Sequence, residues 1–238
     1  MISVLTKNLF IYSRQEVWFY NGEKINAANN TLYYLSSVLP QGKLKHIKEV
    51  QTTIINLQED ANTLFKNLMP NYRNEIRRAE KKRALFNAID RPDNNFLRYY
   101  IKSYYEFAKT KELDPNLNFA RLSTFSKNGV LRITLVSLLE EIVTLHAYLV
   151  DHNERAVLLY SHHNISFKNN TERGFVNKFH HWMDLLYFKE NEIKKYDMGG
   201  IDFENTPGIA EFKKSFGGVQ IKSYNFQITS GLYNFLKK

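Results

Sequence analysis

The second half of the chain alternates apolar runs with short polar breaks. After the turn signal Lys127-Asn128-Gly129 come VLRITLVSLL, EIVTLHAYLV and RAVLLYSH. Apolar runs of this length between turn signals are typical of consecutive strands in an antiparallel sheet. The pattern therefore predicts a three-stranded meander over residues 130–162.

Other runs predict further strands. The segment TTIINL (52–57) is β-branched and short, as a buried strand should be. IKKYDMGGI (193–201) ends near two glycines, and VQIKSYNFQIT (219–229) closes the chain before an aromatic-rich tail. Residues 1–50 mix aromatic, Asn and Lys residues without a sustained period, which favours short strands and turns.

Apolar residues at helical spacing predict the helices. They are ANTLFKNLM (61–69) closed by Pro70, a basic helix capped by Asn71, a long helix through Phe96–Phe107, a helix around 116–125, an amphipathic helix through Phe175–Leu186, and GIAEFKKSF (208–216) opened by Pro207.

This order of elements predicts the α+β class, with a mixed, mainly antiparallel sheet flanked by helices. The amphipathic helix crosses from RAVLLYSH to IKKYDMGG, which makes those two strands parallel neighbours. We divide the chain into an N-terminal β-rich segment, residues 1–50, packed on a main domain, residues 51–238.

Charge and composition narrow the function. The 238 residues carry 33 Lys plus Arg against 24 Asp plus Glu, a net charge of +9, and no Cys. The positive field favours phosphorylated cofactors, nucleic acid or an acidic membrane face. The excess is partly local, in NYRNEIRRAEKKR (71–83), where a solvated helix face is the other interpretation. The lack of Cys excludes disulfides, thiol nucleophiles and zinc–thiolate sites.

No apolar stretch approaches the roughly 18 residues that a membrane span requires, and the start of the chain lacks a signal-peptide layout. We expect a cytoplasmic protein. P-loop, dinucleotide-binding GxGxxG and GxSxG motifs are all missing, which argues against the enzyme classes built on them.

Candidate chemistry gathers where the parallel strands meet their connecting helix. Arg173 and Gly174 are expected at the start of that helix, with Lys178 one turn on, an arrangement that suits phosphate. An ordinary helix entry is the alternative. Asp197 precedes a glycine pair at the end of a strand, where ligands gather in open sheets. A tight turn capped by Asp197 is the alternative there.

Histidines are the remaining candidate bases. His146 shares a strand face with Thr144 and Tyr148, so it either points into a cleft or fills a half-polar core position. His181 and Asp184 have a spacing that allows them to pair on the helix surface. No HExxH or similar ligand spacing occurs, so we predict no metal site.

Several stretches together resemble a known family. They are RNEIRRAEKK, LHAYLVD, AVLLYSH, a helix with Asn177 and Trp182, and above all YDMGGID followed by GIAEFKKSFGG. They are similar to the Fem-type peptidoglycan-bridge aminoacyltransferases and their single-domain relatives in the GNAT acyltransferase superfamily, over about residues 51–230. The loop TERGFVNK departs from the usual GNAT pyrophosphate signature, and the bridge-forming enzymes generally contain two such domains.

The resemblance implies transfer of an acyl group to an amine, in a cleft where two parallel strands splay apart. The expected donor is acetyl-CoA or another acyl-CoA, and the acceptor a small amine on a nucleotide- or lipid-linked amino sugar, a cell-envelope precursor. Aminoacyl-tRNA as donor is the alternative, and a non-catalytic carbohydrate or nucleic-acid binding module is a further one.

The residues and the resemblance together predict a site. Its predicted catalytic residues are Asp197 or His146 as the general base and Tyr196 or Tyr160 as the acid that protonates the leaving thiolate. Its predicted cofactor-binding residues are His162, Arg173, Gly174, Asn177, Lys178 and Gly199, and its predicted substrate-binding residues are Arg77, Gly200, Lys213 and Phe216.

Overall fold

The computed structural model describes residues 1–9, 12–26, 28, 30–40, 44–113, 115 and 117–229. In this part of the chain the strands are β1 (Ile2–Leu9), β2 (Tyr12–Trp18), β3 (Asn30–Ser36), β4 (Lys45–Asn56), β5 (Leu85–Asp90), β6 (Leu131–Leu138), β7 (Glu141–Asp151), β8 (Arg155–His163), β9 (Lys195–Ile201) and β10 (Val219–Thr229). The helices are α1 (Ala61–Asn67), α2 (Pro70–Lys81), α3 (Asn94–Thr110), α4 (Phe119–Lys127), α5 (Asn170–Glu190) and α6 (Pro207–Lys214).

All these strands form one sheet in the order β1-β2-β3-β10-β4-β9-β8-β7-β6-β5. The pairs β2–β3 and β8–β9 are parallel, and the other described pairs are antiparallel. The predicted α+β class, the meander β6-β7-β8 and the parallel pair joined by the crossover helix α5 are confirmed.

Helices cover both faces of the sheet. Helices α1, α2 and α5 pack on one face around Ile76, Phe175 and Leu185, with Phe216 after α6 in the same core. On the other face α3 and α4 pack around Leu97 and Phe125. We call these the α5 face and the α3–α4 face. Each face buries its own apolar core, so polar groups buried between a helix and the sheet need partners within that layer.

Four element predictions need correction. LFNAID forms β5, which the sequence pattern did not reveal because its burial is incomplete on both faces. Helix α2 begins at Pro70, not after an Asn71 cap, because proline suits the first turn, where its missing N–H costs nothing. Helix α4 runs from Phe119 to Lys127 with Asn118 as its cap, and residue 116, where we expected it to start, lies outside the described residues.

The fourth correction concerns α5. The helix begins at Asn170, and the side chain of Asn169 caps it by accepting the N–H of Glu172. Arg173 and Gly174 therefore lie inside the helix and not at its entry. The N–H of Arg173 donates to the carbonyl oxygen of Asn169 at 3.0 Å, so it is already used within the helix.

The N-terminal strands belong to the same sheet as the rest. β3 pairs with β10, near the end of the described chain, and Trp18 and Leu35 pack into the core of the α3–α4 face. The boundary that we drew between residues 50 and 51 falls inside β4. No helix among the described residues has the length and apolar character needed to cross a bilayer.

Candidate functional site

The parallel strands β8 and β9 separate in the middle of the sheet. Their pairing runs from Arg155–Lys195 to Val157–Asp197, whereas β8 continues along β7 to His163 and β9 continues along β4 to Ile201. The strands therefore leave an opening beyond Val157 and Asp197.

Bulges in both strands mark the opening. In β8, Leu159 is the extra residue, because Ala147 faces Tyr160 while Tyr148 faces Leu158. In β9, the register shifts between the Ile54–Asp197 and Thr52–Gly200 pairs. Bulges leave backbone groups outside the regular ladder and are common beside active sites.

Gly199 shapes the β9 side of the opening. Its φ is +76°, and its N–H donates to Oδ1 of Asp197 at 2.9 Å. A Cβ atom on Gly199 would lie 2.8 Å from the carbonyl oxygen of Leu158. Both the left-handed backbone and the close approach to β8 require glycine here.

Asp197 lies at the base of the opening, fully buried. Arg155 donates to its Oδ2 through Nη2 and through Nε at 3.0 Å. Burial raises the pKa of Asp197, and the neighbouring guanidinium of Arg155 opposes that rise. The carboxylate thus holds the β8–β9 junction and the Gly199 turn together.

Lys213 reaches the opening from α6. Its Nζ donates to the carbonyl oxygen of Gly200 at 2.6 Å. Burial lowers the pKa of Lys213 to about 8, while the charge of Asp197 acts in the opposite direction. Phe216 packs against Tyr72 and His181 and anchors the end of α6.

The opening continues into a cleft of about 190 Å³ on the α3–α4 face. Trp18 and Tyr34 form one wall, with their rings stacked at 4.5 Å. Gly199 and Gly200 form the other side. A larger cavity of about 860 Å³ lies on the same face and shares Leu35 with the cleft; its lining includes Phe19, Asn21, Asn56, Gln58 and Arg155.

The α5 face carries a buried polar network beside the opening. Asp184 accepts from the hydroxyl of Tyr148 at 2.6 Å and from Nδ1 of His146 at 2.7 Å. The hydroxyl of Tyr196 lies 2.8 Å from that of Tyr148 and 2.7 Å from Nδ1 of His181. All five side chains are essentially buried, so these groups depend on one another for hydrogen bonds.

His180 completes the network. Its ring nitrogens meet the hydroxyls of Thr134 and Thr144 at 2.9 and 2.7 Å, and its ring stacks on that of His146 at 3.7 Å. Burial lowers the pKa of His180 well below the ordinary histidine value, and the neighbouring imidazole of His146 lowers it further. His180 is therefore neutral.

Three members of the network have the chemistry of metal ligands. His146, His181 and Asp184 bring ligand atoms within 4.8 Å of one another. Each of the three has a hydrogen bond to another side chain, whereas Oδ1 of Asp184 is buried with no hydrogen-bond partner. The structure thus assembles a potential ligand set that the sequence spacing did not indicate.

The predicted phosphate-binding residues lie on the first turns of α5. Lys178 forms an ion pair with Glu75 at 2.6 Å and lies over the ring of Tyr72. Oδ1 of Asn177 is 3.4 Å from Nε2 of His146. A Cβ on Gly174 would meet no atom within 4 Å, so close packing does not explain that glycine.

Two predicted residues lie away from the opening. His162 is buried on the α3–α4 face, where its Nε2 meets the hydroxyl of Ser103 at 3.0 Å. Burial lowers the pKa of His162 to about 3. Arg77 is exposed on α2, with its guanidinium 5.3 Å from the ring centre of Phe65. The structure gathers His146, Tyr196, Lys213 and Phe216 on the α5 side, but not these two.

No protein-family model and no curated protein matches this sequence. Solved structures do match. FemX superposes with a TM-score of 0.60 at 13% identity, over 79% of this chain and 64% of FemX. The chain has the Fem-type fold. The chain spans less than two thirds of the length of FemX. At 13% identity the similarity shows the fold alone.

Two other structures share this fold. The C-terminal domain of an Agrobacterium fabrum protein, named as a lysylphosphatidylglycerol synthetase, gives a TM-score of 0.56 at 10% identity, covering 87% of this chain and 71% of that one. L-PGS from Bacillus licheniformis gives 0.55 at 11% identity, covering 87% and 70%. The resemblance to the Fem-type enzymes is confirmed at the level of the fold.

The sequence carried one overlooked signal for the polar network. Asn177, His180 and Asp184 recur at helical spacing on α5 among apolar residues, and Thr144, His146 and Tyr148 alternate on one face of β7. Our interpretation of His181 and Asp184 as a surface pair is wrong, since both are buried and Asp184 bonds to His146. A polar stripe on the apolar side of a helix indicates a buried network.

Proposed function

We propose that this protein is an acyltransferase that moves an acyl group from an acyl-CoA thioester to a primary amine. The observation that carries the proposal is the opening between β8 and β9, with bulges in both strands and Lys213 beside it. Acyl transfer needs a dry site, groups that stabilise a developing oxyanion, and access for two substrates.

The opening offers access from both faces of the sheet. Lys213 approaches from α6, next to the core of the α5 face, whereas the cleft with Trp18 and Tyr34 lies on the other face. The acyl donor enters along α5 and α6 and the acceptor from the opposite side. The amine attacks the thioester carbonyl directly, because the chain has no Cys to carry the acyl group.

Lys213 supplies positive charge where the carbonyl oxygen becomes anionic. With a pKa of about 8, its amine is mostly protonated at pH 7. Partial burial strengthens its interaction with an anion, because less water screens the charge. Backbone N–H groups at the Leu159 bulge supplement it, and Asp197 keeps the Gly199 turn in place.

The larger cavity supports an amino-sugar acceptor, such as a nucleotide- or lipid-linked cell-envelope precursor in the cytoplasm. Asn21, Asn56 and Gln58 offer paired donors and acceptors for hydroxyl groups, and Phe19 offers an apolar surface for a sugar ring. The name of the Agrobacterium fabrum protein refers to a lysyl group on a lipid. A lysyl group is an acyl group, so that name also describes acyl transfer to a lipid-linked acceptor.

The test is thiol release from acetyl-CoA in the presence of amino sugars, together with thermal-shift titrations of acetyl-CoA and bulk tRNA at two salt concentrations. Lys213→Ala should lower kcat by about 10²-fold, the cost of removing an oxyanion donor. Lys214→Ala, an exposed neighbour on α6, is the matched control and should retain activity.

Three outcomes are informative. Thiol release that depends on amine and on Lys213 supports the proposal. Stabilisation by tRNA only at low salt, without thiol release, indicates aminoacyl transfer or nucleic-acid binding. Stabilisation by an amino sugar with no transfer at all overturns the proposal in favour of a binding module.

A further inference from the structure

The smaller cleft on the α3–α4 face begins where β8 and β9 separate. Its lining includes Leu158 and Leu159 of β8 and Gly199 and Gly200 of β9, the residues on either side of the opening. In the proposed reaction the thioester carbonyl lies in this opening, beside Lys213. Because the donor enters from the α5 face, a chain attached to that carbonyl and pointing away from CoA enters the cleft.

The rest of the cleft is mostly apolar. Its wall is formed by Trp18, Tyr34, Leu35, Val50 and Val157, and none of its described lining residues is Asp, Glu, Lys, Arg or His. An ammonium group bound there would lose water without gaining a carboxylate, which is costly. Alkyl carbons are stabilised by the same surroundings, because they leave water for apolar neighbours. The cleft therefore suits an alkyl chain better than an aminoacyl group.

A buried ion pair holds the aromatic wall of the cleft in place. Nε1 of Trp18 donates to Oε2 of Glu16 at 3.3 Å, and Arg121 donates to both oxygens of Glu16. The guanidinium of Arg121 also lies 5.8 Å from the ring centre of Trp18 and 5.9 Å from that of Tyr34. A wall that is already ordered costs less to bind against, since few side chains need to be immobilised.

Leu35 lines both the cleft and the larger cavity, and its backbone is strained. Its φ is +50°, in the left-handed region that is costly for leucine. β3 bulges here, because Tyr34 and Leu35 together face Asn225 of β10, whose Oδ1 accepts the N–H of Leu35 at 2.9 Å. Such strain persists only where the surroundings impose it, and it clusters at ligand sites. The bulge thus holds an apolar side chain at the boundary of the two cavities.

The volume of the cleft exceeds what an acetyl group needs. A water molecule takes about 30 Å³ of liquid, so a cleft of about 190 Å³ holds about six groups of that size. Acetyl has a single methyl group beyond its carbonyl and would leave most of this space unfilled. We propose that the acyl group of the donor is an alkyl chain of about four to eight carbons bound in this cleft, with Leu35 setting its length.

This inference rests on the proposed acyl transfer and specifies its donor. The amine nitrogen bonds to the carbonyl carbon, the carbon–sulfur bond breaks, and CoA leaves as a thiolate that takes up the proton lost by the amine. The alkyl chain takes no part in these bonds and contributes only binding. The acceptor amine approaches from the larger cavity, so the two substrates meet on either side of Leu35.

A series of donors tests the chain length. Thiol release is measured with acetyl-, butanoyl-, hexanoyl- and decanoyl-CoA and the same amino sugars. From acetyl-CoA to hexanoyl-CoA, kcat/KM should rise at least about 10-fold, since each buried methylene group contributes a factor of about three to four. β-Alanyl-CoA matches butanoyl-CoA in size but ends in an ammonium group, so its kcat/KM should be at least about 10-fold lower than that of butanoyl-CoA. Equal or better use of acetyl-CoA or β-alanyl-CoA overturns the inference.

Leu35→Asn tests the residue that sets the length. Asn tolerates the left-handed backbone, and its amide makes the cleft polar. KM for hexanoyl-CoA should rise about 10-fold with little change in kcat, because the chain is bound equally before and in the transition state. KM for acetyl-CoA should change much less. Leu139→Asn is the matched control, since Leu139 is another leucine at φ +53° but is 79% exposed in the β6–β7 turn.

Leu35→Gly is a second variant in case the asparagine disturbs folding. Glycine removes the backbone strain together with the side chain, so the left-handed conformation is kept without cost. The cleft should then join the larger cavity, and decanoyl-CoA should be used at least as well as hexanoyl-CoA. A chain-length preference that is the same in both Leu35 variants as in the wild type would exclude Leu35 as the residue that sets it.

A donor analogue separates this inference from the proposed function. S-hexyl-CoA, a thioether that cannot transfer an acyl group, should raise the melting temperature more than free CoA does, and Leu35→Asn should remove the difference. If the wild type shows this difference but transfers no acyl group from any donor, the proposed function fails and the alkyl-binding cleft stands. If the wild type releases thiol best from acetyl-CoA, acyl transfer stands and this inference fails.

Discussion

Both faces of the sheet bury a carboxylate, but they neutralise it differently. On the α3–α4 face, Glu16 is 1% exposed and accepts from Nε and Nη2 of Arg121, each at 2.8 Å. On the α5 face, Asp184 accepts from a phenol and an imidazole. A guanidinium stays protonated in proteins and can donate to both carboxylate oxygens, whereas a phenol offers a single proton. The comparison indicates a fixed charge pair on one face and, on the other, a carboxylate held by a phenol and an imidazole.

The most destructive change should be Arg121→Ala, which leaves Glu16 buried without a cationic partner and with only the indole N–H of Trp18, at 3.3 Å, as a side-chain donor. Breaking such a pair costs about 3–5 kcal/mol of unfolding free energy. Urea unfolding at pH 7 measures it. Arg98→Ala is the control, since Arg98 is exposed on α3 and its guanidinium lies over Phe119. If both variants lost the same unfolding free energy, the Glu16–Arg121 pair would contribute no more than an exposed arginine.

His162 should make the α3–α4 face sensitive to acid. Its folded pKa of about 3 lies below the ordinary value of about 6.5, so on acidification the unfolded chain gains a proton before the folded one does. Stability is therefore lost as pH falls from about 6.5 towards 3, by about 3 kcal/mol at pH 4 from this residue.

Unfolding curves at pH 7 and pH 4 measure the contribution of His162 to the pH dependence of the unfolding free energy. His162→Phe should reduce the difference in unfolding free energy between the two pH values, whereas His152→Gln, at an exposed position, should not. A pH dependence that is the same in His162→Phe as in the wild type would contradict the burial of a neutral imidazole here.

Asp184→Asn tests the buried polar network directly. Tyr148 and His146 both bond to Oδ2 of Asp184, so a neutral amide oxygen would replace a charged acceptor that serves two donors. Both hydrogen bonds should weaken, because bonds to charged groups are the stronger ones. We expect a loss of about 1–3 kcal/mol in unfolding free energy. Urea unfolding at pH 7 measures the loss. An unchanged unfolding free energy would contradict a buried network that depends on Asp184.

Gly199→Ala tests the junction between β8 and β9. An alanine at φ +76° costs about 1–2 kcal/mol, and contact with the Leu158 carbonyl oxygen adds to it. Gly200→Ala is the matched control, because its added Cβ meets no atom within 4 Å. Thermal unfolding of both variants, with acetyl-CoA binding, should show the difference; equal behaviour would argue against a tight β8–β9 junction.

Local patterns accounted for most elements and for part of the site. The meander, the crossover helix and β10 followed from apolar periodicity and turn residues, because these signals act over a few neighbouring positions. The strand ending in Tyr196–Gly200 was likewise recognisable. β5 escaped because it alternates only weakly between buried and exposed positions, and the phosphate role of Arg173 assumed a helix start that Asn169 moves earlier.

By itself the sequence determined the α+β class, the parallel pair around α5, and the positions of Lys213 and the glycine turn. Only the tertiary structure decided which polar groups meet. His146 and Asp184 are 38 residues apart, and Glu16 and Arg121 are 105 apart. Such contacts depend on strand order and on which helix covers which face, and no local period encodes either. The burial of these groups, and hence their chemistry, arises only when the distant segments pack together.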